Sequence, residues 1–433
     1  MIAFLFSRHL WRGNPTTVFY AYAGFFAVFY SMTATLSLLY MATIVGLSPF
    51  QMVMVGTVLE ATIFVCEVPT GLLSDLHSRR PSMVVGLVLI GIGFLMQPLL
   101  PTFGGVRAAQ IVWGVGVTFV SGSDEVCLAD EIGAERITPV FLHAKQIELA
   151  GTIIGTISAA GLGLIGLQIP LLVSGAGFLV VAGMLCLFMS ENGFVRTEES
   201  TAAPLRSMVA LFNGGIAVAR RKPIVRSFLI VSVLAGLSSE AFDRLWTVRI
   251  LDAFQLPSLP GTGDGEVLLF AGIALVGTIV SLLVSVLLKR VQPERLAAAH
   301  PAGLLMVLTT CQIGGILGLA LSGNLWFALA ALWLRAAALS IAAPLQTAWL
   351  ARNLDSTSRA TSLSLISQAN AIGQVTGGPP FGALANKVGV PIALVLSALV
   401  LTPTIGLFSR ARKTTEPNRD NTPNTGTTGR EPK

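Results

Sequence analysis

Long apolar stretches alternate with short polar segments along almost the whole of this 433-residue sequence. A helix that crosses the hydrocarbon core of a bilayer needs about 20 mostly apolar residues. Twelve stretches of this kind can be marked out, over residues 17–41, 49–73, 82–100, 106–129, 141–167, 170–189, 227–251, 267–288, 302–321, 326–350, 361–384 and 391–408. The pattern predicts an all-α integral membrane protein with twelve transmembrane helices, numbered here as spans 1 to 12.

Two polar segments interrupt this pattern. Residues 191–226 form the longest gap and leave six spans on each side. Residues 411–433 are rich in Thr, Asn, Pro and charge, a composition that cannot bury enough apolar surface to fold. We therefore predict an N-terminal six-helix bundle over 1–190, a cytoplasmic linker over 191–226, a C-terminal six-helix bundle over 227–410 and a disordered cytoplasmic tail.

Charged residues make up only 12% of the chain, and they lie mainly between the apolar stretches. When both termini are placed inside, 23 of the 28 Lys and Arg residues fall in inner segments and three in outer loops. Positive residues favour the cytoplasmic side of a membrane. We therefore expect a multi-pass protein of the cell (inner) membrane with both termini cytoplasmic. The net charge of +6 forms no basic face with interleaved aromatics, so we expect no nucleic-acid partner.

The sequence carries no motif for enzymatic chemistry. Its four cysteines lie within apolar stretches, and no CxxC or His/Cys spacing indicates a disulfide framework or a metal site. HExxH, a P-loop and a nucleophile elbow are also missing from the sequence. We therefore predict no catalytic residues, no metal and no cofactor.

The two halves of the chain resemble each other. Residues of span 5 recur 222 positions later in span 11, where Gln146, Gly151 and Gly155 correspond to Gln368, Gly373 and Gly377. Repeated halves place a substrate site near the midplane between them. The sequence thus predicts two pseudo-symmetric six-helix bundles.

A signature segment lies between spans 2 and 3. Gly71, Leu73, Asp75, Arg79 and Arg80 stand at the spacing of G-x-L-x-D-x-x-G-R-[RK]. This segment resembles the cytoplasmic loop signature of the major facilitator superfamily, with Ser78 in place of the usual glycine. The resemblance implies the twelve-helix major facilitator fold and alternating access.

The same resemblance implies roles for the signature residues. Gly71 would let two helices approach closely. Asp75, Arg79 and Arg80 would belong to a charged cytoplasmic gate that latches one state of the cycle. Asp130, at the inner end of span 4, is the proposed partner of Arg79 in that gate.

Other stretches look like a bacterial drug-efflux-like branch of the superfamily, among them Glu67-Val-Pro-Thr-Gly71 and Gly373-Gln-Val-Thr-Gly-Gly-Pro379. Proton-coupled exporters of this kind often carry an arginine in span 4 at the position of Gln110. Arg107, one turn away, is the alternative source of that charge. The Gly-Pro motif that such exporters often carry in span 5 is also incomplete, because no proline follows Gly155.

Acidic residues inside the spans are candidates for proton coupling. Placing a charge at the bilayer centre costs about 2.5–3.5 kcal/mol on insertion scales, so we expect each charged residue within a span to have a functional or structural role. Glu60 and Glu67 share one face of span 2, and no cation is adjacent to Glu60 in the sequence, while Glu240 and Asp243 lie in span 7. A carboxyl that exchanges its proton as its surroundings change can couple transport to protons. The alternative for each is a protonated or hydrogen-bonded structural acid.

Aromatic and polar side chains of the spans are candidates for a substrate cavity. Tyr22, Phe26 and Phe29 fall on one face of span 1 and could stack on a planar ligand, although aromatics that only pack between helices or face lipid are the commoner case. Arg244 can pair with Glu240 one turn away, whereas Arg335 is alone in its span and needs an acid from another span or an anionic ligand. The other cavity candidates are Gln110, Asn370 and Gln374.

These observations favour a monomeric secondary transporter in the lipid bilayer that exports small amphipathic molecules in exchange for protons. An uptake carrier for a small anionic nutrient, held by Arg244 or Arg335, is the alternative. A membrane-embedded enzyme or a receptor is the alternative from a different functional class. The two-half layout disfavours a channel.

Overall fold

The computed structural model describes residues 14–133, 135–189, 191, 219–256, 265–290, 301–354 and 356–415. Fourteen helices lie in these residues: α1 Pro15–Thr43, α2 Pro49–His77, α3 Arg79–Leu99, α4 Phe103–Val120, α5 Ser123–Ile132, α6 Ile137–Gly163, α7 Gln168–Phe188, α8 Pro223–Ala253, α9 Gly265–Arg290, α10 Pro301–Leu321, α11 Leu325–Arg352, α12 Ser356–Val388, α13 Val390–Val400 and α14 Thr402–Thr415. The described chain contains no strand.

Local sequence signals set where several helices begin. Ser48 and Gln51 form a capping box at the start of α2, with hydrogen bonds of 3.3 and 2.9 Å, and Pro49 follows at the first helical position. Asn14 caps α1 by accepting a hydrogen bond from the Thr16 amide at 3.0 Å, and Asn324 caps α11 in the same way. Such side chains satisfy amides that have no partner within the helix.

Two of the predicted spans are interrupted. Span 4, predicted as one helix over 106–129, breaks after Ser121 into α4 and α5, because Gly122 takes a left-handed conformation with φ 74°. Span 12, predicted over 391–408, breaks at Leu401 into α13 and α14. The other ten spans correspond to one helix each, so fourteen helices make up twelve spans.

Ten helical segments of the described chain are long and apolar enough to cross a membrane. The two long helices that do not meet this measure are α6 and α12, the fifth span of each half, and both carry more polar residues. Each packs lengthwise on the first helix of its own half, α6 on α1 and α12 on α8. Polar spans are therefore placed against protein at equivalent positions of the two halves.

The repeated glycines explain this packing. A Cβ at Gly151 would lie 2.7 Å from the Gly24 carbonyl oxygen, and one at Gly155 would overlap the Val28 carbonyl. In the second half a Cβ at Gly373 would overlap the Val233 carbonyl. The glycines that recur at an offset of 222 residues thus permit close backbone contact with the first helix of each half.

The two halves meet at the end of the molecule where α1 ends and α2 begins, which we call the outer end. One apolar core is shared there by both halves and includes Leu36 and Leu39 of α1 together with Leu245 and Val248 of α8. At the opposite, inner end each half has a core of its own. The halves are therefore joined at the outer end and more separate at the inner end.

Parts of the predicted domain boundaries can be compared with these helices. α8 begins at Pro223 and α14 continues to Thr415, so helix extends into the ends of the predicted linker and of the predicted tail. The remainder of the tail, and residues 192–218 of the linker, lie outside the described residues.

Candidate functional site

A cavity of about 370 Å³ opens inside the first half towards the inner end. We call it the inner chamber. Its walls come from α1, α3, α4, α5 and α6 and the α4–α5 turn, and they include the rings of Tyr22, Phe26 and Tyr30 and the carboxylates of Asp124 and Glu148. The chamber therefore combines aromatic faces with negative charge.

The two acids of the inner chamber have partners. The Tyr22 hydroxyl donates a hydrogen bond to Asp124 at 3.4 Å, and the Lys145 ammonium lies 2.6 Å from the Glu148 carboxylate. Sequence reasoning did not select Asp124 or Glu148 for the cavity, although Glu148 is the repeat equivalent of Asn370. That equivalence was the signal that could have identified it.

A second cavity of about 130 Å³, the outer chamber, lies further along α1. Tyr30 lines both chambers and so stands at their junction. Polar side chains line the outer chamber, namely Thr33, Ser37, Gln97, Gln110, Trp113 and Arg244. All of these belong to the first half except Arg244, which reaches in from α8.

The aromatic face of α1 differs by one position from the prediction. Tyr22 and Phe26 do line the inner chamber, but Phe29 packs against α7, where its ring centroid is 6.2 Å from that of Phe178. A Cβ at Gly177 would collide with the Phe29 ring, so this glycine makes room for it. The third aromatic residue on the chamber side is Tyr30, which stacks on Phe26 at 5.9 Å. Residues four apart stay on one helix face over two turns, and this favours Tyr30 over Phe29.

A cluster of charged groups spans the contact between the halves. Glu240 and Arg244 of α8 lie 3.6 Å apart, and the Glu240 side chain is almost fully buried. A Cβ at Gly56 of α2 would overlap both side chains, so glycine lets this pair approach α2. Glu60, one turn further on, lies within electrostatic range of Arg244. The cation near Glu60 therefore comes from the other half, where the sequence of span 2 alone could not show it.

A hydrogen bond also joins the halves nearer the inner end. The Gln368 side chain of α12 donates to the Glu67 carboxylate of α2 at 2.7 Å. Because α2 and α12 are antiparallel, Thr57 meets Gly378 and Val53 meets Gly382 further towards the outer end. Glu67 therefore lies on the surface along which the two halves touch.

Arg335, the one arginine of predicted span 10, pairs with an acid of another helix. Its guanidinium lies 3.3 Å from the Asp243 carboxylate and 3.7 Å above the centroid of the Phe242 ring. Its side chain is only 11% exposed. A substrate anion would have to compete with these two partners.

Asn370 and Gln374 lie in the packing between α8 and α12. The Asn370 amide donates to the Ser232 carbonyl at 3.2 Å, and the Gln374 amide donates to Asn370 at 2.8 Å. Both side chains therefore have structural partners in the second half.

At the inner end, Arg79 forms an ion pair with Asp130, the partner predicted for it. The Arg80 amide donates to the Glu191 carboxylate at 3.2 Å, and the Arg80 guanidinium contacts the Cys186 carbonyl. Ser78, which stands where the signature has glycine, also contacts Glu191. Glu191 was assigned to the linker by sequence and was missed as a member of this group.

Two residues of the signature region and span 4 do not make the contacts expected of them in this structure. Among the described residues, a Cβ at Gly71 would have no neighbour within 4 Å, so Gly71 makes no close helix contact here. Arg107 lies 5.2 Å from the centroid of the Phe103 ring at the outer start of α4, so it does not supply a charge beside Gln110. Arg244 supplies that charge from the other half. The Asp75 side chain lies outside the described residues.

Within the described part of the chain, no group of three or more His, Cys, Asp or Glu side chains is arranged to hold a metal ion.

Comparison with known proteins shows which proteins this chain resembles. No family model matches the sequence. The chain is 21% identical over 372 residues to the "Uncharacterized MFS-type transporter YxaM" of Bacillus subtilis (strain 168), covering 83% of this chain and 86% of the relative.

Solved structures of transporters have the same fold. The nucleoside transporter NupG superposes with a TM-score of 0.73 at 13% identity, covering 93% of this chain and 100% of NupG. A bacterial homolog to the human lysosomal transporter Spinster, in an inward-facing and occupied conformation, gives 0.70 at 13% identity and covers 93% and 98%. A POT family transporter in complex with a thioalcohol-conjugated peptide gives 0.70 at 14% identity and covers 93% and 96%. The chain therefore has the major facilitator fold, with two pseudo-symmetric six-span bundles.

Proposed function

We propose that this protein is a secondary transporter that moves small amphipathic molecules across the cell membrane by alternating access, in the export direction and in exchange for protons. The observation that carries the proposal is the pair of chambers along α1, closed at the outer end by a core that both halves share. The outer chamber lies at the contact between the two repeats, because Arg244 reaches into it from the second half, and a cavity at this contact is what rocking of one half against the other requires.

The shape of the molecule supports alternating access. The halves share one core at the outer end and have separate cores at the inner end, so the inner chamber is placed to load from the inner side. The MFS-type relative and the transporter structures of the same fold support the general class. The aromatic rings of the inner chamber suit the apolar part of an amphipathic molecule.

Proton coupling is proposed to run through Glu60. This acid lies within electrostatic range of Arg244, which belongs to the other half, so a rocking motion would change its electrostatic surroundings. Moving a cation away from a buried carboxyl favours its protonated form. The other coupling candidates are Glu67, Glu240 and Asp243. In this state Glu67 accepts a hydrogen bond from Gln368, Glu240 pairs with Arg244 and Asp243 pairs with Arg335.

The inner-end group of Arg79, Asp130 and Glu191 is proposed as the cytoplasmic gate. It joins the start of α3 to α5 and to the residues after α7, all within the first half. The protein is proposed to act as a monomer with both termini cytoplasmic, and it needs no cofactor for this mechanism.

The test is transport by purified protein in proteoliposomes that enclose a pH-sensitive dye. A library of amphipathic compounds is added one at a time, and lumenal pH is followed in wild type, in Glu60→Gln and in protein-free vesicles. We expect at least one compound to drive saturable proton movement in wild type and none in Glu60→Gln. Proton movement that does not saturate, or that persists in Glu60→Gln, would contradict the proposed mechanism.

Uptake of a small anion is the second candidate, and the presence of Arg244 in the outer chamber favours it. Accumulation of a labelled carboxylate inside vesicles that depends on Arg244 would support uptake over export.

A further inference from the structure

Three polar atoms in the wall of the outer chamber have no hydrogen-bond partner among the described residues. They are the Thr33 hydroxyl oxygen, the Gln110 side-chain carbonyl oxygen and the Trp113 indole nitrogen. The Gln110 and Thr33 side chains are almost fully buried, at 1% and 4% exposure. An unsatisfied buried polar atom costs about 1–3 kcal/mol, so three around one cavity indicate that something polar fills it.

A charged group completes this wall. The Arg244 guanidinium enters from the second half, and at 3.6 Å from Glu240 its Nε makes an ion pair but no hydrogen bond. Ser37 and Gln97, also in the wall, bond to each other at 3.1 Å. The chamber wall therefore contains one cation and three residues with a polar atom that has no hydrogen-bond partner.

The donor groups in this wall favour a ligand that accepts hydrogen bonds. An indole N–H, a guanidinium and the NH2 of the Gln110 side chain donate hydrogen bonds, and a hydroxyl can do so, whereas the Gln110 side-chain oxygen only accepts. A carboxylate accepts several hydrogen bonds and is strongest with charged donors. A cavity of about 130 Å³ has the volume of roughly four water molecules at about 30 Å³ each, which suits a carboxylate with a short stem.

The rest of such a ligand has a defined place. Tyr30 lines both chambers, so a chain or ring attached to the carboxylate would pass Tyr30 and lie against Phe26 in the inner chamber. Tyr22, which holds Asp124, is eight residues from Tyr30, or about 12 Å along the helix. The acids of the inner chamber would therefore meet the far end of the ligand and would not face its carboxylate.

We propose that the outer chamber is the head-group site for an amphipathic carboxylate. Arg244 binds the carboxylate from the second half, and the Thr33 hydroxyl, the Gln110 side-chain NH2 and the Trp113 indole N–H donate to it from the first. This inference rests on the proposed transport function, and it names the substrate class. Because the site takes groups from both halves, it is complete only while the outer ends of the halves are together.

The test compares three probes that share one aromatic body: naphthaleneacetate, naphthaleneacetamide and naphthylethylamine. Binding to the purified full-length protein in detergent is measured by calorimetry. We expect the acetate to bind at least about tenfold more tightly than the amide, since a hydrogen bond to a charged group contributes more than one to a neutral group. We expect the amine to bind most weakly.

Two nearly isosteric variants keep the test independent of folding. Thr33→Val and Gln110→Met should each weaken acetate binding by about tenfold, the loss of one hydrogen bond to a charged group. Ser174→Ala in α7 is the matched control, because its hydroxyl is also buried and without a partner but lies outside the chamber wall. Arg244→Gln should abolish acetate binding, but it also leaves Glu240 unpaired, so it serves only as a supporting variant.

Several results would overturn the inference. Acetate that binds no better than the amide, or equally well to Thr33→Val and Gln110→Met, would mean that the chamber holds water only. A compound without a carboxylate could instead show saturable, proton-coupled transport that Thr33→Val does not change. That result would refute the head-group site, while the proposed transport function would stand. If Thr33→Val and Gln110→Met weakened acetate binding but the protein transported nothing, the head-group site would stand and the proposed transport function would be refuted.

Discussion

Two neighbouring glycines of α12 allow the motion between the halves to be tested directly. Gly377 faces its own half, where a Cβ would lie 2.9 Å from Leu237 Cα in α8. Gly378 faces the other half, where a Cβ would overlap the Thr57 side chain of α2. Replacing either glycine by alanine adds one methyl group to a close helix contact, but only the second contact joins the two halves.

The size of each effect follows from these contacts. An added methyl in a tight contact costs typically about 1–3 kcal/mol. The gain in helix propensity from glycine to alanine, about 1 kcal/mol, is common to both variants and cancels in their comparison. In Gly377→Ala the strain persists whenever α8 and α12 pack, so both states lose stability. In Gly378→Ala the strain exists only while the outer ends are together, so about 1–3 kcal/mol should shift the ratio of states by roughly 5- to 150-fold.

The assay is the distance between spin labels at the outer end of each half. Ile165 and Leu321 are exposed there, 73% and 70%, and can be labelled as cysteines in a background without the four native ones. We expect a longer-distance population to grow in Gly378→Ala and to stay at the wild-type level in Gly377→Ala, while both variants melt earlier. An unchanged distance distribution in Gly378→Ala, with a loss of melting temperature equal to that of Gly377→Ala, would refute rigid rocking about this contact.

Three further predictions follow from the packing and charges. Gly155→Ala should lower the melting temperature in detergent because its methyl would meet the α1 backbone, whereas Gly161→Ala in the same helix meets nothing within 4 Å and should not; equal losses would contradict the role of close packing. A double-mutant cycle of Arg79→Gln and Asp130→Asn should be non-additive by up to about 1 kcal/mol, as for a partly exposed ion pair, and additive shifts in melting temperature would mean the pair contributes nothing. Arg335→Lys keeps a charge beside the acid of α8 but loses the planar stack on an aromatic ring, worth up to about 2 kcal/mol when desolvated, so an unchanged melting temperature would argue against that stack.

The sequence alone determined the class of the protein and most of its fold. Twelve apolar stretches of spanning length, the concentration of positive charge in alternate loops and the repeat of Gly151 and Gly155 as Gly373 and Gly377 predicted two six-span halves. These features are visible in the linear sequence, because the ability of a segment to cross a bilayer depends on its own run of apolar residues and on the charges at its ends. The pairing of Arg79 with Asp130 was also within reach, because the signature loop and the end of span 4 lie at the same side of the membrane.

Only the tertiary structure decided what each polar group meets. Arg244 pairs with Glu240 one turn away, as spacing allows, but its position beside Glu60 and inside the outer chamber depends on how α8 lies against α2. In the same way, the rotation of α1 places Tyr30 at the cavity and Phe29 against α7. Helix rotation and lateral neighbours are set by the packing of many small contacts between distant segments, and lipid treats all apolar faces alike. The hydrophobic pattern therefore predicts how many helices cross the membrane, and the contacts between them decide where the site lies.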